Sequence, residues 1–199
     1  MFKIWIQEHV DLSVGAFTIP VPWFQSVDPL ASVLAVPVLF AIWRFQASHR
    51  GEPGELAKIG IGAWLAAGSQ LILVAAILLS GDELVHPIWP TICAGGMGVA
   101  FLYYWPTTLA LVSRAAPAKI NATMMGITFL SFFVANNLVG WIGGFYEKLN
   151  PAQFWLLHAA IAAGGGVSIK LFGNSLGRVL GGGGLQPMRP SAMTGEVET

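Results

Sequence analysis

The stretch IGIGAWLAAGSQLILVAAILLS, residues 59–80, contains no lysine, arginine, aspartate or glutamate. A helix rises ~1.5 Å per residue, so a run of this length reaches across the ~30 Å hydrocarbon core of a bilayer. Working outward, three more runs lack these four residue types: Leu84 to Ser113, Ile120 to Tyr146 and Leu149 to Ile169. A fifth, Leu12 to Trp43, carries only Asp28. Unpaired backbone is costly in lipid, so runs this long are expected to be helices. The reading is an all-α polytopic membrane protein with about five spans, near 22–43, 59–80, 88–112, 120–145 and 152–172. Gly and Pro in the intervening segments (49–53, 80–82, 116–119, 150–151) supply the helix stops and starts.

Composition agrees. Of 199 residues, 55% are apolar and 10% charged, against a usual charged share near ~25%. Mean hydropathy is +0.66. Too little charge is available to cover a water-exposed surface, which excludes a soluble enzyme, a disordered chain and a basic nucleic-acid binder. Ten cations balance ten anions, but their placement is uneven. Arg44, Arg50, Lys58, Arg114, Lys119, Lys170, Arg178 and Arg189 fall on one side of the expected spans. Lys3 and Lys148 fall on the other, with Glu8, Asp11, Asp82, Glu83 and Glu147. The positive-inside rule then puts the N-terminus outside and the C-terminus in the cytoplasm of a cell (inner or plasma) membrane.

The N-terminus does not read as a signal peptide, because Glu8, His9 and Asp11 interrupt a short apolar stretch. The lone Cys93 excludes a disulfide framework and a Cys-based metal site within the chain. Phosphate-loop, G-x-S-x-G, H-E-x-x-H and Cys/His patterns are absent, so no enzyme activity, metal or cofactor is expected. Gly140 with Gly144, Gly164 to Gly166, and Gly95, Gly96 and Gly98 are expected to let helices approach closely. Residues 173–199, Gly-rich and then polar, are expected to form a disordered cytoplasmic tail.

IPVPWFQSVDPL (19–30) resembles the start of the eighth helix in the proton-coupled oligopeptide transporter family of the major facilitator superfamily, usually I-P-x-x-W-F-Q-S-x-N-P-L. APAKINATMMGITFL (116–130) is similar to the eleventh-helix pattern A-P-x-x-x-x-x-x-M-M-G-x-W-F-L. Ala135, Asn136 and Gly140 resemble the G-N-x-x-x-G that follows, and Pro106 matches a proline of the tenth helix. The resemblance runs over roughly residues 12–172. It implies that the five spans correspond to helices eight to twelve of a twelve-helix carrier, and that this chain is the end of a longer protein whose N-terminal half it lacks. It further implies proton-coupled uptake of di- and tripeptides, by rocking of two bundles around a site near the bilayer midplane. A proton is then the coupling ion, and the partners are a small peptide or amino-acid-like substrate, the missing half and the lipid bilayer.

Four positions depart from the family pattern. Phe101 stands where the tenth-helix glutamate is usual, Trp105 where a serine precedes the proline, Thr128 for a tryptophan, and Asp28 for an asparagine. Asp28 has two readings. It could cap a helix that begins at Pro29, but Pro29 to Trp43 covers only ~22 Å. Alternatively the helix starts near Pro20 or Pro22, leaving Asp28 inside a span as a functional carboxylate. Gln25, three residues earlier, shares its helical face and either lines the cavity or bonds a neighbouring helix. Asn136 and Asn137 carry the same two readings. Of Tyr103, Tyr104 and Trp105, one or two can face a pocket; His158 reads as a satisfied polar group or a proton relay. The substrate and proton candidates are therefore Asp28, Gln25, Trp105, Thr128, Asn136 and Phe101. Two other functions stay open: a carrier of the same fold for amino acids or another small solute, and a truncated membrane protein that does not transport.

Overall fold

The computed structural model describes residues 1–49 and 54–182. Within them the chain forms α1 (Phe2–His9), β1 (Ser13–Val14), β2 (Phe17–Thr18), α2 (Pro22–His49), α3 (Glu55–Ser80), α4 (Ile88–Ala115), α5 (Asn121–Gly143) and α6 (Pro151–Gly182). Five long helices thus occupy the five expected spans. Three overrun the expected ends by several residues: α2 continues to His49, α3 begins at Glu55 and α6 reaches Gly182. The helical hydrogen-bond ladder does not stop where the lipid does, so polar residues such as Arg44, Glu55 and Lys170 extend each rod past its apolar part. Residues 173–182, expected in a disordered tail, are the last turns of α6; residues 183–199 lie outside the described residues.

Among the described residues, four helices are long and apolar enough to cross a membrane: Pro22–Phe45, Glu55–Ser80, Asn121–Gly143 and Pro151–Gly173. The fifth, α4, has 28 residues but is not among them. Its prolines, its glycines and the run Tyr103, Tyr104 and Trp105 dilute its hydropathy. The packing explains why this is tolerated. Helix α4 lies against α2, α3 and α5, and α3 in turn lies against α6. Cys93, Ala94, Ala100, Tyr103 and Thr107 of α4 are buried, so much of its surface faces protein, where small and polar side chains are acceptable. Helix α5 is the opposite case: it touches the bundle mainly through α4, and its only buried residue is Gly143.

Glycines mediate the closest approaches, though not all of those expected. A Cβ on Gly62 would lie 3.1 Å from the Ala100 carbonyl oxygen and 3.1 Å from Tyr103 Cβ, so α3 and α4 cross with backbones nearly in contact. Gly166 of α6 sits under the Trp64 ring. By contrast, nothing lies within 4 Å of a Cβ placed on Gly140, Gly164 or Gly165. Gly144 meets only its own turn, at Trp141. The spacing of a small-residue pair signals a capacity for close packing; among the described residues, no helix packs against Gly140 or Gly144.

The first twenty residues, which the charge pattern leaves without structure, form a cap on one end of the bundle. Trp5 and Ile6 of α1 are fully buried and pack with Leu73, Cys93, Phe154 and Trp155. The chain then runs alongside the α3–α4 connection: the Asp11 amide donates to Val85 O (3.0 Å) and the Val85 amide to His9 O (2.8 Å). β1 and β2 pair antiparallel around a two-residue turn, with Gly15 at φ +61°, a conformation that favours glycine. The Tyr146 hydroxyl donates to Glu8 Oε2 at 3.0 Å, joining α1 to the α5–α6 connection. Burial, and then that bond, push the Tyr146 hydroxyl pKa above its ordinary value.

Candidate functional site

Helix α2 begins at Pro22, not Pro29, and continues through Pro29 and Pro37. Asp28 therefore lies inside the span and is not an N-cap. Each internal proline removes a helical donor and frees a carbonyl one turn earlier, which is tolerable where neighbouring helices are close. The neighbour is Gly98 of α4. A Cβ there would overlap the Asp28 carbonyl oxygen and come within 2.9 Å of both Asp28 Oδ1 and Ser32 Oγ. The Ser32 hydroxyl donates to the Gly98 carbonyl at 2.9 Å. Gly98 thus brings the α4 backbone against the carboxylate turn of α2, and Gly95 continues the contact beside Ala31.

Beside this contact is a cleft of about 380 Å³. Gln25 and Asp28 enter it from α2, Gln70 from α3, and Cys93, Ala94 and Met97 from α4; Phe2 and Trp155 close it at the α1 end. Gln70 Nε2 lies 3.8 Å from Met97 Sδ. Gln70 Oε1 and Trp155 Nε1 are buried with no hydrogen-bond partner. Buried polar atoms left unpaired are costly; here they are one acceptor and one donor on residues that line a cavity. Among the described residues that line the cleft, Asp28 is the only ionisable one other than the thiol Cys93. The cleft can hold one positive charge, or one proton, with amides beside it to orient a polar group. Gln70 and Trp155 are absent from the expected site. For Gln70 a signal existed, since it is the only amide in the 59–80 run. Trp155 enters from a helix distant in sequence, which no local pattern reveals.

The other expected site residues lie elsewhere. Phe101 and Trp105, one turn apart on α4, stack on each other (5.7 Å between ring centroids, 17° between planes). Trp105 then stacks on Phe132 of α5 at 4.4 Å. These rings form the α4–α5 junction and do not line the Asp28 cleft. Thr128 and Asn136 bond carbonyls of their own helix, Met124 O (2.9 Å) and Phe132 O (2.8 Å). Asn137 does the same to Phe133 O. Of the six candidates, then, only Asp28 and Gln25 share a cavity. His158 Nδ1 lies 2.9 Å from Phe154 O in its own helix. Among the described residues no group of three His, Cys, Asp or Glu is placed to hold a metal ion.

The sequence matches the family model PTR2, described as the POT family, over residues 1–156. The chain belongs to the POT family. The match takes in α1 and the hairpin, upstream of the point where the sequence motifs begin. The peptide transporter YePEPT of Yersinia enterocolitica is 30% identical over 146 residues, covering 72% of this chain and 29% of that protein. The uncharacterized transporter YclF of Bacillus subtilis is 28% identical over 155 residues, 78% of this chain and 31% of the relative. The crystal structure of a peptide transporter POT in complex with sulfate superposes with a TM-score of 0.81 at 25% identity, over 89% of this chain and 36% of that one. The fold is that of part of a major facilitator superfamily carrier. The chain spans about a third of the length of the relatives it matches.

Proposed function

We propose that this POT-family chain supplies the C-terminal part of a proton-coupled carrier of di- and tripeptides, working together with the N-terminal half that its relatives' greater length contains. The observation that carries the reading is Asp28. It is a carboxylate inside a membrane helix, held against Gly98 and opening into a cleft with two glutamines. An ionisable group in such a place marks a functional site by default. The aromatic pair Phe101 and Trp105 fills the α4 positions where the family pattern has a glutamate and a serine. Asp28 is therefore the group to bind and release the coupling proton, and Gln25 and Gln70 orient the polar end of the solute. The proton is the only coupling ion, and no cofactor takes part. Helix α5, exposed along its length and bearing Thr128, Asn136 and Asn137, is the face for the N-terminal half. The excess of cations at the α2–α3 and α4–α5 connections supports an orientation with that end of the bundle in the cytoplasm and the α1 cap outside.

The test is uptake of a labelled dipeptide into proteoliposomes holding this chain joined to an N-terminal half, driven by an inward proton gradient. The expected result is uptake that collapses when the gradient is dissipated. Gradient-independent uptake, or none, would refute the reading. One observation favours a second reading, a same-fold carrier of amino acids or another small solute: the stacked Phe101 and Trp105 remove a charge that a peptide terminus could meet. Competition between a dipeptide and its constituent amino acids separates the two.

A further inference from the structure

A furrow of about 430 Å³ runs between α3 and α6. It shares no lining residue with the Asp28 cleft. Glycines leave it open: Gly60 of α3 and Gly166 and Gly173 of α6 lie along it. A Cβ on Gly166 would fall 2.9 Å from the Trp64 ring, and one on Gly60 3.3 Å from Ile169 Cγ2. Trp64 and Ile169 therefore rest on bare backbone of the opposite helix and wall the furrow. Trp64 is 48% exposed although it lies nine residues inside the span that begins at Glu55. The furrow thus opens sideways at hydrocarbon depth. It runs between two helices that pack on each other, whereas α5, the face for the N-terminal half, is held mainly by α4.

One end of the furrow carries a charge. Leu56 and Gly173 line it where the apolar spans of α3 and α6 give way to water. From Leu56 to Trp64 it descends ~12 Å of helix into the hydrocarbon. Lys170 also lines it, about 4.5 Å inside Gly173, and its four-carbon stem lets the ammonium snorkel to headgroup level. Lys170 is exposed, and among the described residues it is in no ion pair. None of the described lining residues is a carboxylate. Glu55, at the start of α3, is taken by Arg114, whose Nη1 lies 2.8 Å from its Oε1. Lys58 of α3 faces away, with Nζ 4.2 Å above the Trp43 ring of α2. Lys170 is thus a cation within a span, at the mouth of an apolar furrow, and such a charge is costly until an anion meets it.

We propose that this furrow binds an anionic phospholipid, with its phosphate on Lys170 and one acyl chain laid over the glycines of α3 and α6 against Trp64. A zwitterionic lipid offers the same tail but brings its own cation towards Lys170, so selection is by headgroup charge. The proposal does not depend on which solute the carrier moves.

The chain, reconstituted in phosphatidylcholine bilayers, is titrated with phosphatidylglycerol brominated on its acyl chains and, separately, with brominated phosphatidylcholine. Bromine quenches the tryptophans it touches, and the quenching lost in Trp64→Phe is the Trp64 share. The expected result is that brominated phosphatidylglycerol quenches Trp64 at a roughly fivefold lower mole fraction than brominated phosphatidylcholine. Lys170→Gln should abolish this preference, and Lys170→Arg should keep it. Lys119→Gln, which removes a cation from the α4–α5 connection, should leave it unchanged. Lys170 is exposed, so Lys170→Gln disturbs no packing; should it still fail to fold, Lys170→Arg against Lys119→Gln carries the test. Equal quenching by the two lipids, a preference that survives Lys170→Gln, or an equal loss in Lys119→Gln would overturn the proposal. Loss of the preference on adding inorganic phosphate at constant ionic strength would also overturn it, since Lys170 would then be a site for a soluble anion.

Discussion

Gly98 of α4 lies so close to Asp28 of α2 that no other residue type fits between them without moving a helix. The Ser32 hydroxyl, bonded to the Gly98 carbonyl at 2.9 Å, secures the same contact one turn on. A carboxylate, a glycine and a serine thereby fix the distance between two helices at the mouth of a cleft.

Gly98→Ala should force α2 and α4 apart. Overpacking of this kind costs about 1–3 kcal/mol, so the thermal midpoint of the purified chain in detergent should fall. Gly95→Ala, whose Cβ would meet only Ala31 at 3.8 Å, should leave the midpoint within error. A Gly98→Ala midpoint equal to that of the parent would contradict the contact.

Asp28→Asn keeps the shape of the side chain and removes its titration. In the full carrier, gradient-driven uptake should be lost while exchange of solute without a gradient persists. Gln25→Ala should instead weaken solute binding and leave the dependence on the gradient intact. Proton-driven uptake by Asp28→Asn at the parent rate would show that the coupling proton binds elsewhere.

Trp105→Ala should loosen α5 more than any other helix, because the stack on Phe132 at 4.4 Å is the tightest ring contact between α4 and α5. The pair itself is worth about 0.5–1.5 kcal/mol beyond its buried area. Proteolysis in the 116–120 connection should accelerate in the variant, while cleavage in the 81–87 connection stays at the parent rate.

Tyr146 gives a pH dependence at the cap. Its hydroxyl is pushed above the ordinary tyrosine value by burial and by the bond to Glu8. A folded-state pKa above the unfolded one means that the stabilisation is fully present at neutral pH. It is lost only as alkaline pH rises past the ordinary value near ~10 and through the folded one. Tyr146→Phe should therefore cost about 1 kcal/mol at pH 7 and flatten the alkaline fall in stability. Parallel alkaline denaturation curves for parent and variant would rule this out.

The five long helices are legible from the charge gaps because bilayer chemistry admits almost no other solution for such runs. Their ends are less so, since Arg44, Glu55 and Lys170 sit on helix that has already left the hydrocarbon. The placement of Asp28 inside α2 follows from arithmetic on span length, and Pro22 as the helix start bears it out. Which glycines pack is not legible. Gly98 and Gly140 look alike in sequence, but among the described residues only Gly98 has a helix opposite it. Helix α1 is equally hidden: FKIWIQEH is short and carries Lys3 and Glu8, and it is held by Phe154, Trp155 and Val85, which come from far along the chain. The cleft was half visible, through Gln25 and Asp28. Its other half, Gln70 and Trp155, depends on tertiary packing.

The cap described above joins one end of the bundle across three connections, through Val85, Tyr146 and the hairpin that leads into α2. At the other end, the described ties between connections are the Glu55–Arg114 pair and the Lys58–Trp43 contact. The two ends are therefore braced by different means: backbone hydrogen bonds and buried rings at the cap, and side-chain contacts alone, Arg114 to Glu55 and Lys58 to Trp43, at the far end.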